Sequence, residues 1–108
     1  MRIGIDLGGH TLIVARIAMN AAAPVMDRCI SLETPQGRSV QDVMAAMAET
    51  IAVFCADCEV QSVGIALPGM IDADRRHVRK MPNFPSEWDD LDVPAALSAA
   101  LVARGLTM

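Results

Sequence analysis

The 108-residue sequence has almost no aromatic character: no tyrosine, two phenylalanines and one tryptophan, 3% in all. With a hydrophobic content of 53%, its core must be built from Ala, Val, Ile, Leu and Met, which suits a helix packed on a sheet. Also missing is any apolar run long enough to span a bilayer, and a basic start followed by Asp6, Gly8 and Gly9 does not have the form of a cleaved leader. A cytoplasmic protein without membrane attachment is expected. Nor is there a basic excess. The formal charge of -4 argues against general attraction to nucleic acid or an anionic membrane. The one basic cluster, Arg75, Arg76, His77, Arg79 and Lys80, lies beside Asp72 and Asp74, the mixture expected of a solvated hairpin tip.

Cysteine is scarce too, with three residues. Cys55 and Cys58 have CxxC spacing, but a tetrahedral zinc site needs a second pair or nearby histidines, and Cys29, His10 and His77 are scattered. A redox pair gains from the start of a helix, whereas these two fall at the end of a predicted one. Ordinary thiols and no zinc site are expected. The length is that of one domain, residues 1–108, with room for a single core.

What is present is organised around residues 2–18, RIGIDLGGHTLIVARIA. Two runs rich in Ile, Leu and Val flank Gly8 and Gly9, predicting antiparallel strands joined by a tight turn in which positive φ costs little. Asp6 sits in the first of these runs, a position strands usually deny to Asp. Glycines that clear the approach, amides that donate to phosphate oxygens and a carboxylate that holds magnesium through water would together suit a polyphosphate. The alternative is a plain two-glycine hairpin in which Asp6 bonds turn amides.

A small-residue turn is predicted over 20–24, a third antiparallel strand over 25–32 and a loop over 33–38. Ser39 and Asp42 resemble a capping box, and Val40, Val43, Met44, Met47, Ile51, Phe54 and Cys55 recur at threes and fours as one helical stripe facing the sheet. Residues 60–67, VQSVGIAL, then predict a buried strand parallel to an earlier one, ended by a Pro68-Gly69 turn of the kind that borders ligands in open α/β sheets. Residues 70–72 and 77–80 can pair as a small hairpin. The two prolines of residues 81–88, MPNFPSEW, exclude a central strand or helix, leaving a loop in which Phe84 and Trp88 either anchor by packing or shape a pocket wall. Asp92 caps a last helix with Pro94 in its first turn and a stop near Gly105.

In that order, IGIDLGGH with its second strand, VGIALPGMID, and MPNFPSEWDDLDVPAAL resemble the amino-terminal lobe of the ROK family of bacterial sugar kinases and related repressors, within the actin, sugar kinase and Hsp70 superfamily. The resemblance spans essentially the whole chain. It implies an α/β fold, a ribonuclease H-like (actin-like ATPase) lobe. Its mixed sheet would hold an antiparallel three-stranded meander and a parallel fourth strand, with a helix, a small hairpin and a C-terminal helix.

The same resemblance implies transfer of the ATP γ-phosphate to a hexose or amino-sugar hydroxyl, with ATP and Mg2+ as cofactors. Asp6, Gly8, Gly9, His10 and Thr11 match the family's first phosphate motif, with Asp6 near magnesium through water; Gly69 and Asn83 match loops that border the sugar. The family usually has Thr where this chain has His10, and Thr11, in a strand, would point to the opposite face. The 108 residues stop before the strand bearing the family's Asn-Asp pair, whose Asp is the catalytic base, and before the zinc segment and second lobe. No catalytic residue is therefore expected here, and the chain alone is expected to be inactive. No helix-turn-helix precedes Met1, which favours the kinase branch. Family members commonly pair, so a homodimer is implied for the intact protein. The alternative is a non-catalytic sugar-sensing or interaction module that keeps the fold while His10 compromises phosphate binding.

Overall fold

The structure, a computed structural model, describes residues 1–20 and 22–106. Strands β1 (Arg2–Leu7), β2 (Thr11–Met19) and β3 (Pro24–Glu33) form the antiparallel meander, and β4 (Ser62–Ala66) joins β1 in parallel, giving the order β3-β2-β1-β4. Helix α1 (Val40–Phe54) makes the crossover between β3 and β4. A second sheet is built from β5 (Met70–Ile71), β6 (His77–Lys80) and β7 (Leu91–Asp92), and helix α2 (Val93–Val102) follows directly. The turn expected over 20–24 includes Ala21, which lies outside the described residues.

Alternation along the strands sends one set of side chains to the helices. Ile3, Ile5 and Leu7 of β1 and Leu12 and Val14 of β2 are buried against Val43, Met47 and Ile51 of α1 and Leu97 and Leu101 of α2. The α1 stripe read from the sequence is thus the core face. Ser39 caps α1 as expected, its side-chain oxygen accepting from the Asp42 N–H at 3.0 Å. The last turn of α1 has no basic residue of its own, so Arg16 of β2 supplies the cation: Nη1 donates to the Phe54 carbonyl at 2.7 Å while Nε and Nη2 grip Asp27 at 2.9 and 3.0 Å. That grip holds the Asp27 carboxyl below its usual range. Helix α2 begins with the Asp92 cap and ends in a Schellman motif: Leu106 N–H donates to Leu101 O and Gly105 N–H to Val102 O, both at 3.0 Å, with Gly105 at φ 77.

Two expectations need correction. The strand expected to be buried, β4, is an edge strand; among the described residues it pairs with β1 alone, and Ser62, Gly64 and Ala66 are exposed because the helices cover one face of the sheet. Residues 91–92, read only as the approach to the last helix, pair with β6 as a short strand because Asp92 and Leu91 lie opposite His77 and Val78.

The hairpin of β5 and β6 forms where its residues predict it and carries a charge network at its turn. One Asp74 oxygen accepts from the N–H groups of Arg76 and His77, at 2.9 and 3.1 Å, and the other lies 2.5 Å from His77 Nδ1. Arg76 in turn donates to both carboxylate oxygens of Asp92, at 3.3 and 3.1 Å, linking the hairpin to the head of α2. The two backbone N–H bonds hold the Asp74 carboxyl down to about 2, and the Asp74 bond raises the imidazole of His77 above its ordinary value of 6.5. The stability from His77 is therefore complete below 6.5 and lost as pH rises through its elevated folded value, whereas that from Asp74 is complete above 3.8 and lost as pH falls toward about 2. Amide protection in 76–78 is expected to fall as the pH rises through the elevated His77 value, and His77 to titrate by NMR above 6.5. A His77 midpoint at or below that value contradicts the network.

Candidate functional site

Because β1 and β4 run parallel, with Asp6 opposite Ala66, the turns that follow them emerge side by side at one end of the sheet. Asp6 alternates with buried Ile5 and Leu7 and is exposed on the face away from the helices.

The turn after β1 closes with the Gly8 N–H donating to the Thr11 carbonyl at 2.8 Å. Its own carbonyls are all engaged from the segment that leads into α1. The Gly8 oxygen accepts from Thr34 Oγ1 at 2.8 Å, the Gly9 oxygen from Arg38 Nε at 2.7 Å, and the His10 oxygen from the Thr34 N–H at 2.9 Å. No peptide among the described residues is cis, so each amide hydrogen points opposite the carbonyl that precedes it. The N–H groups of Gly9 and His10 are consequently directed away from Thr34 and Arg38, and neither donates to a backbone carbonyl in the turns and loops of the described residues. Two successive amides directed away from Thr34 and Arg38, three and four residues after an exposed carboxylate, could together receive an anion with a cation beside it.

The glycines are present for a different reason from the one the sequence suggests. Neither Gly8 nor Gly9 is in the left-handed region. A Cβ on Gly8 would lie 3.1 Å from the Thr11 carbonyl oxygen, and one on Gly9 would face the Arg38 guanidinium at 3.9 Å. Close approach, not positive φ, favours glycine at position 8, whereas at position 9 a Cβ would make only ordinary van der Waals contact.

The second turn is drawn toward the first by packing. A Cβ on Gly69 would run into the Lys80 carbonyl, with Met81 at 3.2 Å, so Gly69 lies flat against the strand that leads into loop 81–85. Within that loop Asn83 is held at φ 68, and its carbonyl accepts from Arg38 Nη1 at 2.5 Å. Trp88 lies in a 3-10 turn, Ser86–Trp88; it is fully buried, meets Phe84 edge-on at 5.4 Å and donates from Nε1 to the Arg38 carbonyl at 2.8 Å. Glu87 beside it accepts from the Val40 N–H at 2.6 Å, an acid at the head of α1. Trp88 thus anchors the loop by packing.

Of the residues singled out from the sequence, Asp6, Gly8, Gly9 and His10 are contiguous at the end of β1, and Thr11 opens β2 with His10 and Thr11 both exposed. Gly69 and Asn83 belong to the neighbouring loops. Missed by sequence reading is Arg38, which touches both groups; only its place just before the Ser39 cap marked it. A groove of about 460 Å³ lined by Gly9, His10, Glu33, Thr34 and Arg38 lies on the carbonyl side of the turn. Thr34 and Arg38 in its wall bond the turn's carbonyls, and the Gly9 and His10 amides point away from both. Among the described residues no three His, Cys, Asp or Glu side chains gather as a metal site. The CxxC thiols are free, and burial, with a bond to Cys58, pushes the Cys55 thiol up to about 11, the opposite of an activated nucleophile.

A meander with a parallel fourth strand, a crossover helix and a tight turn after the first strand define one lobe of the actin-like ATPase fold, of the ribonuclease H type. The chain belongs to the ROK family, whose sequence model matches residues 2–104. It is 32% identical over 96 residues to the glucokinase of Thermotoga maritima, covering 89% of this chain and 29% of that protein. Among solved structures, the inorganic polyphosphate/ATP-glucomannokinase of Arthrobacter sp. strain KM superposes with a TM-score of 0.75 at 27% identity, covering 93% of this chain and 40% of that one. A ROK family glucokinase of Streptomyces griseus, solved with glucose and AMPPNP, shares the fold with a TM-score of 0.66 at 23% identity, over 98% and 31% of the two chains. The chain therefore spans well under half the length of each of these relatives. No described helix is long and apolar enough to cross a membrane.

Gly69→Ala tests the packing between the two loops. The new methyl group must push the Lys80–Met81 backbone aside, and a loss of about 1–3 kcal/mol is expected in urea unfolding followed by Trp88 fluorescence. A change below about 0.5 kcal/mol, the range of an uninvolved surface site, contradicts the close contact.

Proposed function

We propose that the chain, as one domain of residues 1–108, is the amino-terminal lobe of a cytoplasmic ROK sugar kinase that transfers the ATP γ-phosphate to a hexose or amino-sugar hydroxyl. The observation that carries this reading is the pair of Gly9 and His10 amides turned outward beside Asp6. Those amides, with Gly8 and Thr11 completing the turn, would receive the terminal phosphates of ATP. Magnesium keeps most of its water shell and takes one or two carboxylates from a protein when phosphates supply the rest, so the single exposed Asp6 fits it. Charge shifting onto phosphate oxygens is stabilised most by donors fixed in advance, which the tethered carbonyls of this turn provide. Gly69 and Asn83 would border the sugar at the mouth of the second loop. The family's catalytic Asp has no counterpart in the 108 residues, so this lobe supplies phosphate and sugar contacts but no base for the sugar hydroxyl.

In calorimetric titration, magnesium AMPPNP is expected to bind the chain, and Asp6→Asn to weaken that binding about tenfold, the scale of a lost contact to metal-bound water. With glucose and magnesium ATP the chain alone is expected to release no ADP above background. Affinity unchanged by Asp6→Asn, or turnover that this variant abolishes, contradicts the proposal.

A further inference from the structure

Among the described residues, Arg38 is the one side chain that bonds to both loops of the proposed site. Its Nε donates to the Gly9 carbonyl at 2.7 Å, its Nη1 donates to the Asn83 carbonyl at 2.5 Å, and its guanidinium carbon lies 5.7 Å from the centre of the Phe84 ring. A planar guanidinium offers its donors in a fixed fork, so the two carbonyls cannot move independently while both bonds hold. Its backbone is fixed as well. Arg38 has φ 50, following Gly37 at φ 83, and its carbonyl is bonded by the fully buried Trp88, so the base of the side chain is attached to the core. Asn83, at the other end, also has a left-handed backbone, a conformation that Asn adopts more readily than other residues with a side chain.

We infer that Arg38 is a positioning residue that couples the phosphate turn to the sugar-bordering loop, orienting the His10 amide through the Gly9 carbonyl and the Asn83 backbone through its own. The inference rests on the proposed assignment of those two loops. Arg38 lies on the carbonyl side of the turn, opposite the outward amides, so it acts through the peptide plane and not by touching phosphate. Because coupling free energies are reciprocal, phosphate that fixes the turn also fixes loop 81–85, and sugar bound at that loop tightens phosphate.

The test is a titration of the 15N-labelled 108-residue chain with magnesium tripolyphosphate, read by amide NMR. In the wild type the Gly9 and His10 amides are expected to shift, and the Asn83 and Phe84 amides to shift with the same midpoint. Arg38→Met is expected to retain the Gly9 and His10 response with affinity about fivefold weaker, the lower end of common coupling factors, and to lose the response at Asn83 and Phe84. Arg38→Lys keeps the charge but only one donor at a time, so it should recover affinity without restoring the spread to Asn83. The Trp88 indole N–H signal, which reports a bond to the Arg38 backbone, should stay in place in both variants and marks them as folded. Shifts at Gly9 and His10 without any at Asn83 in the wild type overturn the coupling while leaving the phosphate assignment intact. The same spread in Arg38→Met, or full restoration by Arg38→Lys, also overturns it. No shift at Gly9 or His10 in the wild type overturns the phosphate assignment and the coupling with it.

Discussion

The site depends on a constraint applied from behind. The carbonyls of Gly8, Gly9 and His10 are each taken by a donor from the segment between β3 and α1, and peptide planarity converts those bonds into the direction of the amides on the far side. A flexible glycine turn would have to be ordered by its ligand. This one is ordered by Thr34 and Arg38, which are themselves attached to the head of α1, and the ordering cost is met in folding. Each charge-assisted bond of the kind Arg38 makes to Gly9 contributes about 1.5–3 kcal/mol where partly buried; the Asn83 bond, being exposed, contributes less.

The remainder of the fold supports that point. Leu7, Leu12 and Val14 fix the strands on either side of the turn against α1, and Trp88 brings the second loop onto the same helix terminus. The helix is therefore held at both ends from outside itself, by Glu87 at its first amide and by Arg16 at its last carbonyl. Small residues at Gly8 and Gly69 allow two backbones to come close to their neighbours where a Cβ would force them apart. The long-range bonds that tie the turn and the second loop to Thr34, Arg38 and Trp88 are accepted by backbone carbonyls, which explains why residue types alone point to the site only in part.

Much of the architecture was legible in the sequence. The alternation in residues 2–18, the stripe from Val40 to Cys55, the Ser39 and Asp92 caps and the Gly105 stop are local signals, and each corresponds to an observed element. What was not legible depends on pairing between distant segments. Nothing near Leu91 announces that it will lie opposite Val78, and nothing in residues 60–67 announces that one face of β4 stays open. Arg38 is the clearest case: as a single basic residue in a loop it carries no pattern, and its importance comes from carbonyls 29 and 45 positions away. The resemblance to ROK kinases located Asp6, Gly8 and Gly9 as a group, but the close approach of the Thr11 carbonyl to Gly8 depends on how the turn folds and has no signature in residue type.

The most direct measurement is native-state hydrogen exchange of individual amides in the 108-residue chain without ligand. If the turn holds its amides outward, Gly9 and His10 exchange near the rates of unstructured peptide while Ile5 and Val14, in the flanking strands, are protected by orders of magnitude. Gly9 and His10 protected to the level of those strands would mean that the amides are spent inside the protein, and the account of this turn as a phosphate cradle would be wrong.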